Sequence, residues 1–305
     1  MLHFIKMIRG KMLFLFGILR TIFELIFGFF ITIIFFRYIQ KTSSQHDYRD
    51  ALIICPSPSL NDQVLVENFR KDYVLSFVNS ACLSPKFIEF KPERFFLIDP
   101  AFFYSNLIPS KHPEQRAQVD EVLSRIAEMT NWPMIVIVPW YHRNSDSLKS
   151  IANNPFITIN GLSVNDCRGS WCTGNHFGFR FGFLNPVYRN VLVAAILYNL
   201  RCDHKKVFVW GANSNWLKNC VVDSDNQVLH SIEHTESQVS GIVLLNSDGT
   251  RQHYHTYLKQ LSTTFEQYHV LQKFSKAIGK EIINITDASF IDAFKRSKDV
   301  NLFKS

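Results

Sequence analysis

Charge is scarce in this chain. Asp, Glu, Lys and Arg make up only 19% of its 305 residues, against 47% apolar residues. That share is low for a purely soluble protein, where about 25% is usual. The six cysteines, at 55, 82, 167, 172, 202 and 220, include no CxxC pair. No Cys/His cluster has zinc spacing, which argues against a structural zinc site. A disulfide framework does not suit so long a chain, so the cysteines read as reduced thiols of a cytosolic domain. Internal repeats and low-complexity tracts are absent. The length allows one large or two modest domains with a hydrophobic core.

Phenylalanine, by contrast, is abundant at 28 copies, many within the first forty residues. The net charge of +7 is uneven as well. Residues 1–50 carry seven basic side chains (Lys6, Arg9, Lys11, Arg20, Arg37, Lys41, Arg49) against Glu24, Asp47 and Asp50. Over half of the excess therefore flanks the apolar segment, which suits an anionic membrane surface better than nucleic acid.

Met12 to Phe36 is apolar apart from Arg20, Thr21, Glu24 and Thr32. A spanning helix needs about 20 apolar residues, so the length suffices. Arg20 and Glu24, four apart, can pair on one helix face. An interfacial helix with Lys6, Arg9, Lys11 and Arg20 reaching headgroups fits equally. A cleaved signal peptide fits less well, because no small-residue cleavage site follows the run. Residues 1–40 thus read as a membrane-anchoring helix and 41–50 as a polar linker.

From residue 51 to 305 the pattern is one α/β domain. Short apolar runs at 51–55, 73–78, 94–98, 134–138, 206–210 and 281–285 have the length and composition of buried strands. Helical spacing lies between some of them, at 113–129, 189–200 and 264–278, with Gly279 closing the last. Strands alternating with helices predict a Rossmann-like parallel sheet covered on both faces. Residues 160–190 and 212–262 read as loop or lid segments.

Open parallel sheets bind ligands in the loops at the carboxyl ends of their strands. After the first strand, Cys55 to Asp62 has no glycine and two prolines. The hydroxyls of Ser57 and Ser59 can contact a ligand there, or the loop is a stiffened turn. Asn79 ends the second strand and can bond a base, a ribose or a neighbouring loop. Asp99 ends the third, as a catalytic carboxylate or a turn before proline. Arg189 opens a helical run and is placed to meet phosphate. Gly211 follows the fifth run, with Asn213 close behind, and allows close approach of a ligand or a tight turn. His253, Tyr254, His255 and Tyr257 precede the long helix. A histidine here can deprotonate a hydroxyl, or the cluster is simply exposed polar surface.

On these motifs the chain resembles the bacterial lipooligosaccharide sialyltransferases and the wider group with Kdo-transferring core enzymes, over roughly residues 50–296. Pro58-Ser59-Leu60 is similar to the end of the family's opening Gly-Asn-Gly-Pro-Ser-Leu. Asn79 resembles its second nucleotide loop, and Arg189 with 191–200 its Arg-led helix start. Ile285 to Phe290 resembles its closing motif. The chain departs from the pattern at Cys55, Pro56 and Ser57, where the family has Gly and Asn, and at Gly211-Ala212-Asn213, where it has Gly-x-Asp. Ungapped alignment of the closing motif puts the family histidine near Ser262.

The resemblance implies inverting transfer of sialic acid or Kdo from a CMP-sugar to a glycan in lipopolysaccharide, O-antigen or capsule synthesis. It implies no essential metal and no other cofactor. In this reading His255 is the base, and Tyr254 and Tyr257 contact the departing phosphate. Ser57, Ser59, Asn79, Arg189, Gly211 and Asn213 hold the nucleotide. The expected partners are the donor, a glycan or lipid-linked glycan acceptor and the membrane surface, with self-association open and nucleic acid excluded. Nucleotide sugars are made in the bacterial cytoplasm, whereas the flanking charges would place a domain beyond a single span outside it. The expectation is therefore a monotopic anchor on the inner membrane with the domain facing the cytoplasm. The alternatives are a same-fold enzyme using another nucleotide donor and a non-enzymatic scaffold of a polysaccharide assembly complex.

Overall fold

A computed structural model describes residues 2–34, 48–62, 69–104, 113–170, 172–233, 238–244 and 250–297. Most of the expected linker, 41–47, lies outside these residues. The strands are β1 (Asp50–Ile54), β2 (Tyr73–Val78), β3 (Arg94–Phe96), β4 (Met134–Pro139), β5 (Ile157–Leu162), β6 (Lys206–Trp210), β7 (Cys220–Val222), β8 (Val228–Glu233), β9 (Gln238–Val243), β10 (Glu281–Asn284) and β11 (Lys295–Arg296). The helices are α1 (Leu2–Ile34), α2 (Phe69–Asp72), α3 (Lys86–Phe90), α4 (Pro113–Met129), α5 (Lys149–Ala152), α6 (Cys172–Phe181), α7 (Val191–Arg201) and α8 (Tyr254–Ala277).

Eight strands form a parallel sheet in the order β11-β10-β6-β1-β2-β3-β4-β5. The predicted α/β, Rossmann-like class is what the chain adopts. Alternation along β1 explains why its apolar run is uninterrupted. Ala51, Ile53 and Cys55 enter one core with α7 and α8, while Leu52 and Ile54 enter the other with α3 and α4. A strand covered on both faces has no polar side to show. Helix α7 follows the same logic, since every residue from Leu192 to Leu200 is buried.

The chain runs outward from β1 through β5 on one side, then returns to place β6 and β10 on the other. Direction reverses between β1 and β6, so the crevice beyond their carboxyl ends is the topological switch point.

Three segments differ from the sequence reading. Strand β5 opens the stretch expected as loop from 160, and α6 lies within it. Gly174 and Gly178 give α6 a loop-like composition, yet both are buried. A Cβ on Gly178 would stand 2.7 Å from Leu184, so this glycine is a packing position. The 212–262 segment holds an antiparallel sheet, β7-β8-β9, and the first turns of α8. Helix α8 begins at Tyr254, ten residues before the expected start. All six cysteines are unpaired, and burial pushes the Cys55 thiol up to about 12.

Helix α1 is about 50 Å long at 1.5 Å per residue. Its part Lys11–Ile34, with mean hydropathy 2.0, is long and apolar enough to cross a bilayer. Arg20 pairs with Glu24 at 2.8 Å as the spacing suggested. Glu24 also reaches across the chain, accepting from Arg168 N at 3.1 Å and Gly169 N at 3.0 Å. The half-buried Arg201 braces the neighbouring 179–185 segment. It donates to the carbonyls of Phe179 at 2.5 Å and Leu184 at 2.9 Å, and to Asn185 Oδ1 at 2.8 Å.

Candidate functional site

A cavity of about 630 Å³ occupies the switch-point crevice. That volume lies within the range of small-molecule sites. Cys55, Pro56 and Pro58 after β1, Asn79 after β2, and Ile98, Asp99 and Pro100 after β3 supply part of the wall. Gly211 to Trp216 after β6 and the start of α7 supply the next part. The cavity is completed by His230 and Leu244 and by Tyr257, Gln260, Leu261 and Thr264 of α8.

The first turn of α7 faces this space. Asn190 is its N-cap, accepting from Leu192 N at 2.6 Å, and Asn190, Val191 and Leu192 line the cavity. Arg189, immediately before the cap, is exposed and lines it too. A guanidinium beside the positive end of a helix favours an anion such as phosphate.

Three left-handed residues shape the walls: Asn79 at φ 47°, Gly211 at φ 75° and Ser214 at φ 51°. Side-chain-bearing residues adopt this conformation at a cost and concentrate there at functional sites. Asn79 adds a second irregularity, because its buried Oδ1 has no hydrogen-bond partner. A buried acceptor left unmatched costs about 1–3 kcal/mol, so a ligand N–H or O–H placed there would gain accordingly.

The loop after β6 is held by the 284–291 segment. Thr286 Oγ1 accepts from Ala212 N at 3.1 Å, and Ser289 Oγ donates to Ala212 O at 2.6 Å. Asn284 Nδ2 donates to the same Ser289 hydroxyl at 3.0 Å, and Phe290 N donates to Asn213 O at 2.9 Å. The 285–290 motif therefore positions the cavity wall. Ser289→Ala should lower stability by about 1–2 kcal/mol, the cost of leaving a buried carbonyl unpaired. Its effect on ligand affinity should exceed that of an exposed control such as Asp287→Ala. Chemical denaturation and ligand titration check both.

Of the sequence-predicted residues, Asn79, Arg189, Gly211, Asn213 and Tyr257 line the cavity. Ser57 is buried beneath it, 3.2 Å from where a Cβ on Gly211 would sit. Ser59 belongs to the 3-10 turn Pro58–Asp62, and its side chain lies outside what the structure describes. Tyr254 and His255 sit on the exposed first turn of α8, outside the cavity lining. The His255 ring lies nearly parallel to His253, centroids 5.7 Å apart. Asp99 makes the expected turn, its Oδ1 accepting from Ala101 N at 2.9 Å, and the residue also lines the cavity.

The histidine that does line the cavity is His230 on β8. Its Nε2 lies 3.2 Å from the Trp216 carbonyl, which only accepts, so Nε2 carries hydrogen and Nδ1 holds the lone pair of the neutral ring. Tyr257 packs 6.0 Å from it, and burial raises that phenol well above its ordinary value, so it stays a donor. Burial lowers the His230 pKa below its ordinary 6.5, partly opposed by the Trp216 carbonyl. The unfolded chain then binds a proton at a pH where the folded chain does not. Stability should fall as pH drops through 6.5 towards the lower folded value. His142 and His176 are lowered by burial too and add to the same trend. His230→Gln should flatten the decline between pH 7.5 and 5.5 without removing it, as denaturation at both pH values would show.

Among the described residues no three His, Cys, Asp or Glu side chains gather as metal ligands would. No protein-family model matches the chain, and no curated protein sequence matches it.

Proposed function

We propose that this chain is a nucleotide-sugar-dependent glycosyltransferase. It moves an acidic sugar, sialic acid or Kdo, from its CMP conjugate to a hydroxyl of a surface glycan. The observation that carries this reading is the switch-point cavity with Arg189 and the α7 N-terminus on one wall. That arrangement suits a phosphate-bearing ligand. The polar wall of Asn79, Asn213, Asn215 and Gln260 suits a nucleoside and a sugar.

In this reading the acceptor oxygen attacks the anomeric carbon and the bond to the CMP phosphate oxygen breaks. His230 Nδ1 takes the acceptor proton, replacing His255, which stands outside the cavity. Arg189 and the Tyr257 hydroxyl stabilise the charge gathering on the leaving phosphate. The protein works at the cytoplasmic face of the bacterial inner membrane, where nucleotide sugars are made.

Calorimetric titration of the full-length protein in detergent with CMP, CDP, UDP and GDP tests the assignment. Selective CMP binding supports it, and turnover of CMP-sialic acid or CMP-Kdo would follow. Binding of UDP or GDP keeps a nucleotide enzyme but removes the acidic-sugar donor. The prolines of the opening loop and the burial of Ser57 favour a scaffold as the second reading, and absence of binding to all four nucleotides would select it.

A further inference from the structure

We propose that α1 lies flat on one leaflet and that α6 shares the lipid contact, so the membrane-binding surface is built from two parts of the chain. This concerns how the protein meets a bilayer and stands independently of the donor assignment.

At 3.6 residues per turn, positions 17, 21, 24 and 28 fall on one stripe of α1. That stripe is docked. Ser170 N donates to Gly17 O at 3.3 Å, Thr21 is fully buried, and Glu24 holds two backbone amides. A Cβ on Gly28 would stand 2.2 Å from the Phe183 carbonyl, so the helix touches the domain there too. The opposite stripe carries Leu15, Leu19, Phe23, Ile26, Phe30 and Ile33, all more than half exposed, with Phe23 at 70%.

The middle of the apolar stretch Lys11–Ile34 thus sits beside Glu24 and its partners Arg168 and Gly169. If α1 spanned a bilayer, those polar groups would enter the hydrocarbon core, about 30 Å thick, where irregular backbone is not tolerated against lipid. Lying in the interface, the same helix keeps its docked stripe on the protein and turns its apolar stripe to acyl chains.

The apolar surface continues beyond α1. Phe29 meets Phe183 edge-on at 5.4 Å, and Phe183 meets Phe177 and Phe181 at 6.1 Å each. Phe177 and Phe181 of α6 are themselves more than half exposed. Arg180 of α6 and Arg20 of α1 are exposed beside this surface and suit anionic headgroups. A stretch with mean hydropathy 2.0, continuous with exposed aromatics and flanked by arginines, matches a lipid surface.

The test uses the full-length chain with an N-terminal epitope, bound to preformed phosphatidylcholine vesicles containing phosphatidylglycerol. Protease added outside should remove the epitope as readily as it digests the domain. A protected epitope would show that α1 spans and would overturn the proposal. In the same vesicles, the double variant Phe177→Ser/Phe181→Ser should partition roughly tenfold more weakly, the size expected for losing two partly buried aromatic contacts. Near-ultraviolet circular dichroism should be unchanged. Unaltered partitioning would remove α6 from the surface and overturn the two-part assignment.

Discussion

Gly211→Ala should destabilise the protein by about 3 kcal/mol and close the switch-point cavity proposed to take the nucleotide. Two effects combine. The residue sits at φ 75°, where an alanine costs roughly 1–2 kcal/mol. Its Cβ would also lie 2.6 Å from the Cys55 carbonyl, a distance that side chains do not adopt. The obstacle is backbone, and that backbone is held by Cys55 N donating to Trp210 O at 2.9 Å. Relief therefore means parting the ends of β1 and β6, which is where the cavity lies. An overpacked core site commonly costs about 1–3 kcal/mol, which brings the sum near the stated figure. Urea denaturation should show a lower midpoint with unchanged slope, and CMP titration should show no heat. A variant as stable as the parent would mean that the β1–β6 junction yields freely, and the cavity would lose its rigid wall.

Arg189→Ala should weaken CMP binding by roughly ten- to hundredfold while leaving stability unchanged. A hydrogen bond to a charged group contributes about 1.5–3 kcal/mol, which sets that range. The side chain is exposed, so its removal opens no core. The cap on α7 is supplied by Asn190, so the helix keeps its start. Arg189→Lys should recover only part of the affinity, because an ammonium cannot grip phosphate with two parallel bonds. Equal affinity in all three proteins would leave the α7 amides as the sole phosphate contact. Titration calorimetry at fixed ionic strength separates these outcomes.

The central sheet was readable because its strands are buried on both faces and therefore appear as unbroken apolar runs. Strand β5 escaped because Asn160 and Gly161 interrupt Ile157–Leu162, although both are buried. Helix α6 escaped because Gly178 serves a contact with Leu184 that lies outside local spacing. The site was readable where a strand end or helix start placed a residue, as with Asn79, Arg189 and Gly211. It was not readable where a distant element folds over the cavity. His230 reaches it only because the small antiparallel sheet turns back on the switch point, and nothing near residue 230 announces that. His255 looked better placed while the helix was expected to begin ten residues later. Once its first turn is drawn from Tyr254, that side chain faces solvent.

The docking of α1 also sets a timing problem for synthesis. Glu24 is made well before Arg168, whose amide it binds and which follows 144 residues later. At about 5–20 residues per second the ribosome needs roughly 7–30 s to supply that partner. Throughout that interval Thr21, Glu24 and the apolar stripe have no protein to rest on. A nascent helix that settles on a bilayer early shields its phenylalanines while its polar stripe waits in water. The lipid surface would then act as the template on which the domain closes, and translation without membranes should yield aggregated chain even though the sheet itself is complete.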